Sequence, residues 1–201
     1  MHLVIDDYVA GFSRIFAAQK DTLPWLVPQI LPDILDEMIT ELEKSYTVTD
    51  GIAIHHSATV EKGVVLKAPV IVSENCFIGA HAYLRGGVFL GKGTTVGTGC
   101  EVKTSIIMQN SAVAHFNFVG DSIIGSNVNF EAGAVVANHF NERNDKQIRV
   151  VLNGDITDTN VIKFGALVGD NCKIGANAVL SPGTILAKDT IVKRLELVEQ
   201  L

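Results

Sequence analysis

Residues 54–102, cut at every sixth position, read IHHSAT-VEKGVV-LKAPVI-VSENCF-IGAHAY-LRGGVF-LGKGTT-VGTGCE-V. Each block opens on an aliphatic anchor: Ile54, Val60, Leu66, Val72, Ile78, Leu84, Leu90, Val96 and Val102. Four residues after each anchor stands a small or compact side chain: Ala58, Val64, Val70, Cys76, Ala82, Val88, Thr94 and Cys100. A glycine or polar residue often follows the anchor directly, as at Gly79, Gly91 and Gly97. A period of six matches neither the 3.6 of a helix nor the two of a simple strand. It fits one short flat strand and one corner. Three such sides close a triangular coil, and coils stack into a β-helix of hexapeptide repeats. No side buries its anchor alone, so stacking supplies the core.

Toward the C-terminus the period slips. Val102 to Ile107 is five, and Ile107, Val113 and Val119 then run at six. Val119 to Ile124 is five again, followed by Phe130 and Val136. Shortened sides re-aim outward side chains, and a local break of rule inside a regular array is where a site is expected. Residues 139–161 are polar and read as an excursion from one corner, with a hairpin around Asn153-Gly154. Insertions in repeat arrays commonly lie on the binding face. The repeat resumes at Ile162, Val168, Ile174, Leu180 and Leu186, with Ser181-Pro182-Gly183 as a corner. The β-helix therefore spans residues 51–189, and residues 190–201 leave the pattern as a tail or cap. At three sides per coil this gives about six coils, a prism about 30 Å long at the strand spacing.

Toward the N-terminus the hexad is absent. Ile5, Val9, Phe12, Ile15 and Phe16 stand at helical spacing, and Pro24, Pro28 and Pro32 follow. Pro32-Asp33 reads as the start of a second helix, with Ile34, Leu35, Met38, Ile39 and Leu42 as its apolar face. A solenoid end exposes strand edges and open core, so residues 1–50 are expected to cap it, with Trp25 as an anchor.

The 201 residues suffice for one good core, and 47% hydrophobic content with only 6% aromatic suits a narrow prism. A net charge of −6 argues against a nucleic-acid binder. No apolar run is long enough to span a bilayer, and no basic region opens the chain, so a cytoplasmic protein without a membrane partner is expected. Cys76, Cys100 and Cys172 all occupy the inward slot four residues after an anchor. They read as buried small apolar residues, without metal or disulfide spacing. No metal is expected.

Residues three sides apart lie one above another. Lys67, Arg85 and Lys103 follow the anchors Leu66, Leu84 and Val102 of one edge, so the cations form a column. At about 5 Å like charges repel by about 0.8 kcal/mol in water, and a bound phosphate would offset that. His115 follows Val113 by two, in a slot that faces outward, and imidazoles exchange protons near neutral pH. Asn117, Asn129 and Asn138 flank it as outward amides, each a donor or acceptor for a sugar or a corner residue tolerant of unusual φ/ψ.

The hexads resemble those of left-handed β-helix acyltransferases, an exception to the right-handed crossover habit. More narrowly, residues 78–140 resemble the C-terminal acetyltransferase domain of the bifunctional N-acetylglucosamine-1-phosphate uridylyltransferase/glucosamine-1-phosphate acetyltransferase. They also resemble the same domain of archaeal sugar-phosphate nucleotidylyltransferases. The matching segments are Ala82-Tyr-Leu-Arg85, Glu101-Val-Lys103, His115 through Asp121, Asn127-Val-Asn129 and Val136-Ala-Asn138. The resemblance implies an all-β, left-handed parallel β-helix that works as a homotrimer, with acetyl-CoA or another acyl-CoA as donor. The acceptor it implies is the amino group of a sugar phosphate or nucleotide sugar. His115 would be the catalytic base, and Arg85 and Lys103 would hold the phosphate. Asn129 and Asn138 would contact the sugar and the acyl group. Ala132 would line the thioester site, and Gly165 and Ala166 would meet the pantetheine arm. Phe118 stands where the family has Tyr, His139 replaces another Tyr, and Glu131 replaces a Gly beside the acyl site. The family's loop lysine has no clear match, and Arg143 or Lys146 would serve. The family's nucleotidylyltransferase signature is not seen in the sequence. Two other readings stand beside this one. One is a non-catalytic β-helix that binds a sugar nucleotide or scaffolds a partner. The other is an acyl-carrier-protein-dependent O-acyltransferase.

Overall fold

A computed structural model of the chain describes residues 3–152 and 154–199. In it the hexads form three parallel ladders, the three faces of one solenoid. The first face stacks Ile54, Val72, Leu90, Ile107, Ile124, Val168 and Leu186. The second stacks Val60, Ile78, Val96, Val113, Phe130, Ile174 and Val192. The third stacks Leu66, Leu84, Val102, Val119, Val136, Leu180 and Val198. Among the described residues each face has seven rungs, so they form seven coils where the sequence count gives six. The difference lies at the C-terminal end. Ile191–Val192 and Leu197–Val198 continue the second and third ladders, where residues 190–201 were expected to leave the pattern.

The anchors and the small residues four places later form one buried cluster along the axis, with Phe130 its only large ring. The cysteine slots are as expected. All three thiols are free and buried. Cys76 Sγ donates to Gly91 O at 3.1 Å, Cys100 Sγ to Ala114 O at 3.1 Å and Cys172 Sγ to Ala187 O at 3.2 Å. Many corners turn on a residue at positive φ. Asparagine fills that place at Asn75, Asn110, Asn127, Asn171 and Asn177, since its short amide tolerates the left-handed region.

Both five-residue steps fall at one corner, between the third and first faces, in successive coils. Thr104 and Asp121 take positive φ there. Serines stitch the shortened corners together. Ser105 Oγ donates to Lys103 O at 2.7 Å and accepts from Ser122 N at 3.1 Å, and Ser122 Oγ donates to Gly120 O at 2.6 Å. The corner that carries His115, between the second and third faces, is regular.

The N-terminal helices cover a flank of the solenoid, not its end. Helices α1 (Ile5–Tyr8) and α2 (Phe12–Ile15) are separated by Gly11 at φ +79°. Helix α3 runs Val27–Thr40, with Pro28 in its first turn and Pro32 inside it, so it begins before the expected Pro32. The buried residues of these segments, among them Phe12, Phe16, Leu31 and Leu35, pack on Ala53, Ile71, Phe89, Ile106, Ile123 and Leu167. Those six each precede a first-face anchor, so they point outward. A whole apolar outer face needs covering, and the helices supply that cover. Pro32 rests on the bulge between Arg85 and Val88, where a Cβ on Gly87 would lie 3.2 Å from its ring. Trp25 is 3% exposed and meets Phe164 edge-on at 6.3 Å. The end of the first face is closed by Tyr46–Thr49, antiparallel to Ile52–His55.

The insertion enters after Val136 and the ladder resumes at Val168; Ile162, expected as an anchor, is 52% exposed. Within it Arg149–Leu152 pairs antiparallel with Asp155–Asp158. Gly154 turns there at φ +90°, and Asn153 lies outside the described residues. Ile148, Val150 and Phe164 join the cluster beneath the helices.

Candidate active site

The first face is covered, so the second and third remain open. On the third face Arg85 and Lys103 are register partners on adjacent coils, as the column required, and Gly120 continues the row. The cations are not a bare column, however. Arg85 Nε and Nη2 reach Glu101 Oε1 at 2.7 and 2.6 Å. Lys103 Nζ reaches Asp121 Oδ2 at 2.6 Å, with the two side chains 16% and 6% exposed. Acid and base alternate, so the repulsion expected between the cations is largely neutralised. Lys67 is exposed. Asn138 Nδ2 donates to the same Asp121 oxygen, which turns its Oδ1 toward His139 Nδ1 at 3.2 Å. In that arrangement the Nδ1 of His139 carries the proton. Gly120 leaves room for this convergence. A Cβ there would lie 2.8 Å from the Phe118 ring and 2.9 Å from the Asn138 amide. Arg85, Lys103, Phe118 and Asn138 are therefore brought together, with Glu101, Asp121 and His139 among them.

His115 stands exposed on the corner between the second and third faces. The backbone of that corner climbs in register: Gly133 N donates to His115 O, Asn177 N to Ala132 O and Leu195 N to Ala176 O. His115, Ala132, Ala176 and Arg194 thus share one edge over coils four to seven. Ala132 lies directly above His115, and both are exposed. Phe116 beside it is 70% exposed at φ +55° and lays its ring against Gly99. Tight packing fixes the corner from below, since a Cβ on Gly97 would lie 1.7 Å from Ala114 O.

Other expected residues are elsewhere. Asn129 is exposed on the second face. Asn117, expected to point outward, is 2% exposed and lies beside the Cys100 thiol. It occupies the inward slot four after Val113, so its side chain lies inside the prism. Gly165 and Ala166 are buried at the other corner, packed on Gly120 O and Ser122 Oγ. The positions above Ala132 on the edge of His115 are Ala176 and Arg194. Lys146 Nζ donates to Phe140 O at 3.2 Å, and Arg143 stacks on the Phe140 ring at 3.6 Å. Glu131, one coil above His115, takes Arg194 in a bidentate pair and accepts the Ala176 amide. Its carboxyl is held down to about 2, first by the Arg194 hydrogen bond and then by the Ala176 N–H. No group of three or more His, Cys, Asp or Glu side chains suited to a metal is present among the described residues. No helix among them is long and apolar enough to cross a membrane.

Stacked three-sided coils with an imidazole on one open corner define a hexapeptide-repeat β-solenoid. The family model described as the GMPPB C-terminal domain matches residues 81–200, and the chain belongs to that family. Among relatives, the bifunctional protein GlmU of Methanococcus vannielii is 35% identical over 163 residues, 81% of this chain and 38% of that protein. The bifunctional sugar-1-phosphate nucleotidylyltransferase/acetyltransferase of Sulfurisphaera tokodaii is 30% identical over 166 residues, 80% of this chain and 41% of that protein. The chain thus spans about two-fifths of the length of these relatives. A crystal structure of a histidine-to-asparagine mutant of perosamine N-acetyltransferase from Caulobacter crescentus, in complex with CoA and GDP-perosamine, matches with a TM-score of 0.29. It is 17% identical, over 69% of this chain and 49% of that one.

Proposed function

We propose that the protein is a coenzyme A-dependent acyltransferase, with acetyl-CoA as donor and the amino group of a sugar phosphate or nucleotide sugar as acceptor. The observation that carries this reading is the placement of His115. It is exposed, one coil below Ala132, on a corner adjoining the face that gathers Arg85, Lys103, Phe118 and Asn138. Acyl transfer from a thioester needs an uncharged amine held near the carbonyl, a base to take its proton and donors for the oxyanion. In this reading His115 is the base. Arg85 and Lys103 take the acceptor's phosphate in competition with their carboxylate partners Glu101 and Asp121. Asn138 contacts the sugar, and the backbone at Ala132 lines the thioester. The name of the Sulfurisphaera tokodaii relative, a nucleotidylyltransferase/acetyltransferase, supports the reaction class. A left-handed coil and a homotrimer belong to the same reading. The half-buried register neighbours Phe118, Val135 and Val179 give the third face an apolar strip for a second copy.

The pairing of both cations with carboxylates favours a second reading, a solenoid that binds a sugar nucleotide without turning it over. Thiol release from acetyl-CoA with phosphorylated amino sugars separates the two. The transferase reading expects turnover that falls at least about a hundredfold in His115→Ala, the usual worth of a general base. Binding without turnover, unchanged by that substitution, refutes it. Light scattering of the purified protein reads the trimer directly.

A further inference from the structure

Toward the C-terminal end of the second face, a chain of net charge −6 gathers positive charge. Lys173, Lys193 and Arg194 border a depression of about 490 Å³ together with Asn129, Glu131 and Ile191. Ile191 is 67% exposed, an apolar floor among cations. Glu131 is the one acid on this lining. It belongs to coil five, and its carboxylate meets both the backbone of coil six and the Arg194 side chain of coil seven. Oε2 accepts from Ala176 N at 2.9 Å and from Arg194 Nε at 2.7 Å, and Oε1 accepts from Arg194 Nη2 at 2.8 Å. This is the fork-to-fork geometry in which a guanidinium also takes a phosphate. Lower on the same edge, Glu61 Oε2 accepts from Ala80 N at 2.7 Å. The glutamate-to-amide contact therefore recurs at this corner, and the arginine is what coil seven adds.

We infer that the Glu131 carboxylate is an internal stand-in for a phosphate, and that this depression binds the diphosphate of a nucleotide ligand once Glu131 releases Arg194. Lys173 and Lys193 supply the remaining charge, and Ile191 offers an apolar surface to the base. Only the identity of the nucleotide rests on the transferase reading, which makes it the adenosine diphosphate portion of coenzyme A. Glu131 then sets donor affinity by competing for Arg194, without touching the donor.

ADP is the probe, titrated calorimetrically into the full chain. Glu131→Gln keeps a carbonyl oxygen for the Ala176 N–H and removes only the charge. It is expected to bind ADP about three- to fivefold more tightly than the parent, the range one exposed ion pair supplies. Arg194→Gln is expected to bind more weakly, and adding Glu131→Gln to it is expected to gain less than Glu131→Gln does alone. Equal ADP affinity in the parent and Glu131→Gln, or no ADP binding in either, overturns the inference. Acetyl-CoA turnover measured alongside separates it from the transferase reading. His115-dependent turnover with ADP affinity and KM for acetyl-CoA unmoved by Glu131→Gln refutes the competition alone. Tighter ADP binding in Glu131→Gln with no turnover refutes the transferase alone.

Discussion

Gly97→Ala tests whether the packing beneath His115 is as tight as the geometry requires. The added methyl would lie 1.7 Å from the carbonyl oxygen of Ala114, on the next coil up. An ordinary contact needs about 3.2 Å, so the two rungs must part by about 1.5 Å, a third of the strand spacing. The obstacle is backbone, so no side chain can swing aside. Parting the rungs breaks Gly97 N to Val113 O at 2.7 Å and strains Ala114 N to Phe130 O at 3.1 Å. Two backbone bonds at about 1 kcal/mol each, plus about 1–3 kcal/mol for overpacking, give a loss of about 3–5 kcal/mol. Urea unfolding followed by circular dichroism reads this as a lower midpoint at unchanged slope. Gly154→Ala is the control, because among the described residues no atom beyond its chain neighbours lies within 4 Å of the added methyl there. It retains only the cost of alanine at φ +90°, about 1 kcal/mol. A Gly97→Ala protein within about 0.5 kcal/mol of the parent would show that coils three and four are not stacked as described.

Two further outcomes follow from the packing. Asp170 Oδ2 accepts from Ala10 N and Oδ1 from Ser126 N, both at 2.8 Å, tying the N-terminal segment to coils five and six. Asp170→Ala leaves both donors without an acceptor and is expected to cost about 2–4 kcal/mol, with faster amide hydrogen exchange at Ala10. Unchanged exchange at Ala10 would remove that tie. Burial pushes the Cys76 thiol from 9.0 up to about 11. Between those values the unfolded chain loses this proton and the folded one keeps it, so stability falls as pH rises from 9 to 11. Cys76→Ala is expected to flatten that part of the pH–stability curve, and an unaltered slope would argue against burial as the cause.

The solenoid was legible because its rule is local. Anchors at every sixth position and small residues four later specify a side and a corner wherever they occur. The same counting correctly put the cysteines inside and His115 on an outward slot. Asn117 obeys the same inward slot, against the surface preference of its residue type. Val192 and Val198 keep the six-residue step from Leu186, although the residues around them are polar. Ala176 and Arg194 follow their anchors by two, as His115 does, and that offset marked them as its edge companions.

What the linear chain determined was the repeating unit, because hydrophobic burial acts on each hexad in the same way. It could not determine which outer surface the N-terminal helices would cover. That depends on Ile71, Phe89, Ile106 and Ile123, far apart in sequence, forming one apolar face only after the coils stack. Nor could it pair Lys103 with Asp121, Arg85 with Glu101 or Glu131 with Arg194. Coulomb attraction acts through space, and only the rise of one coil per rung brings those charges within reach.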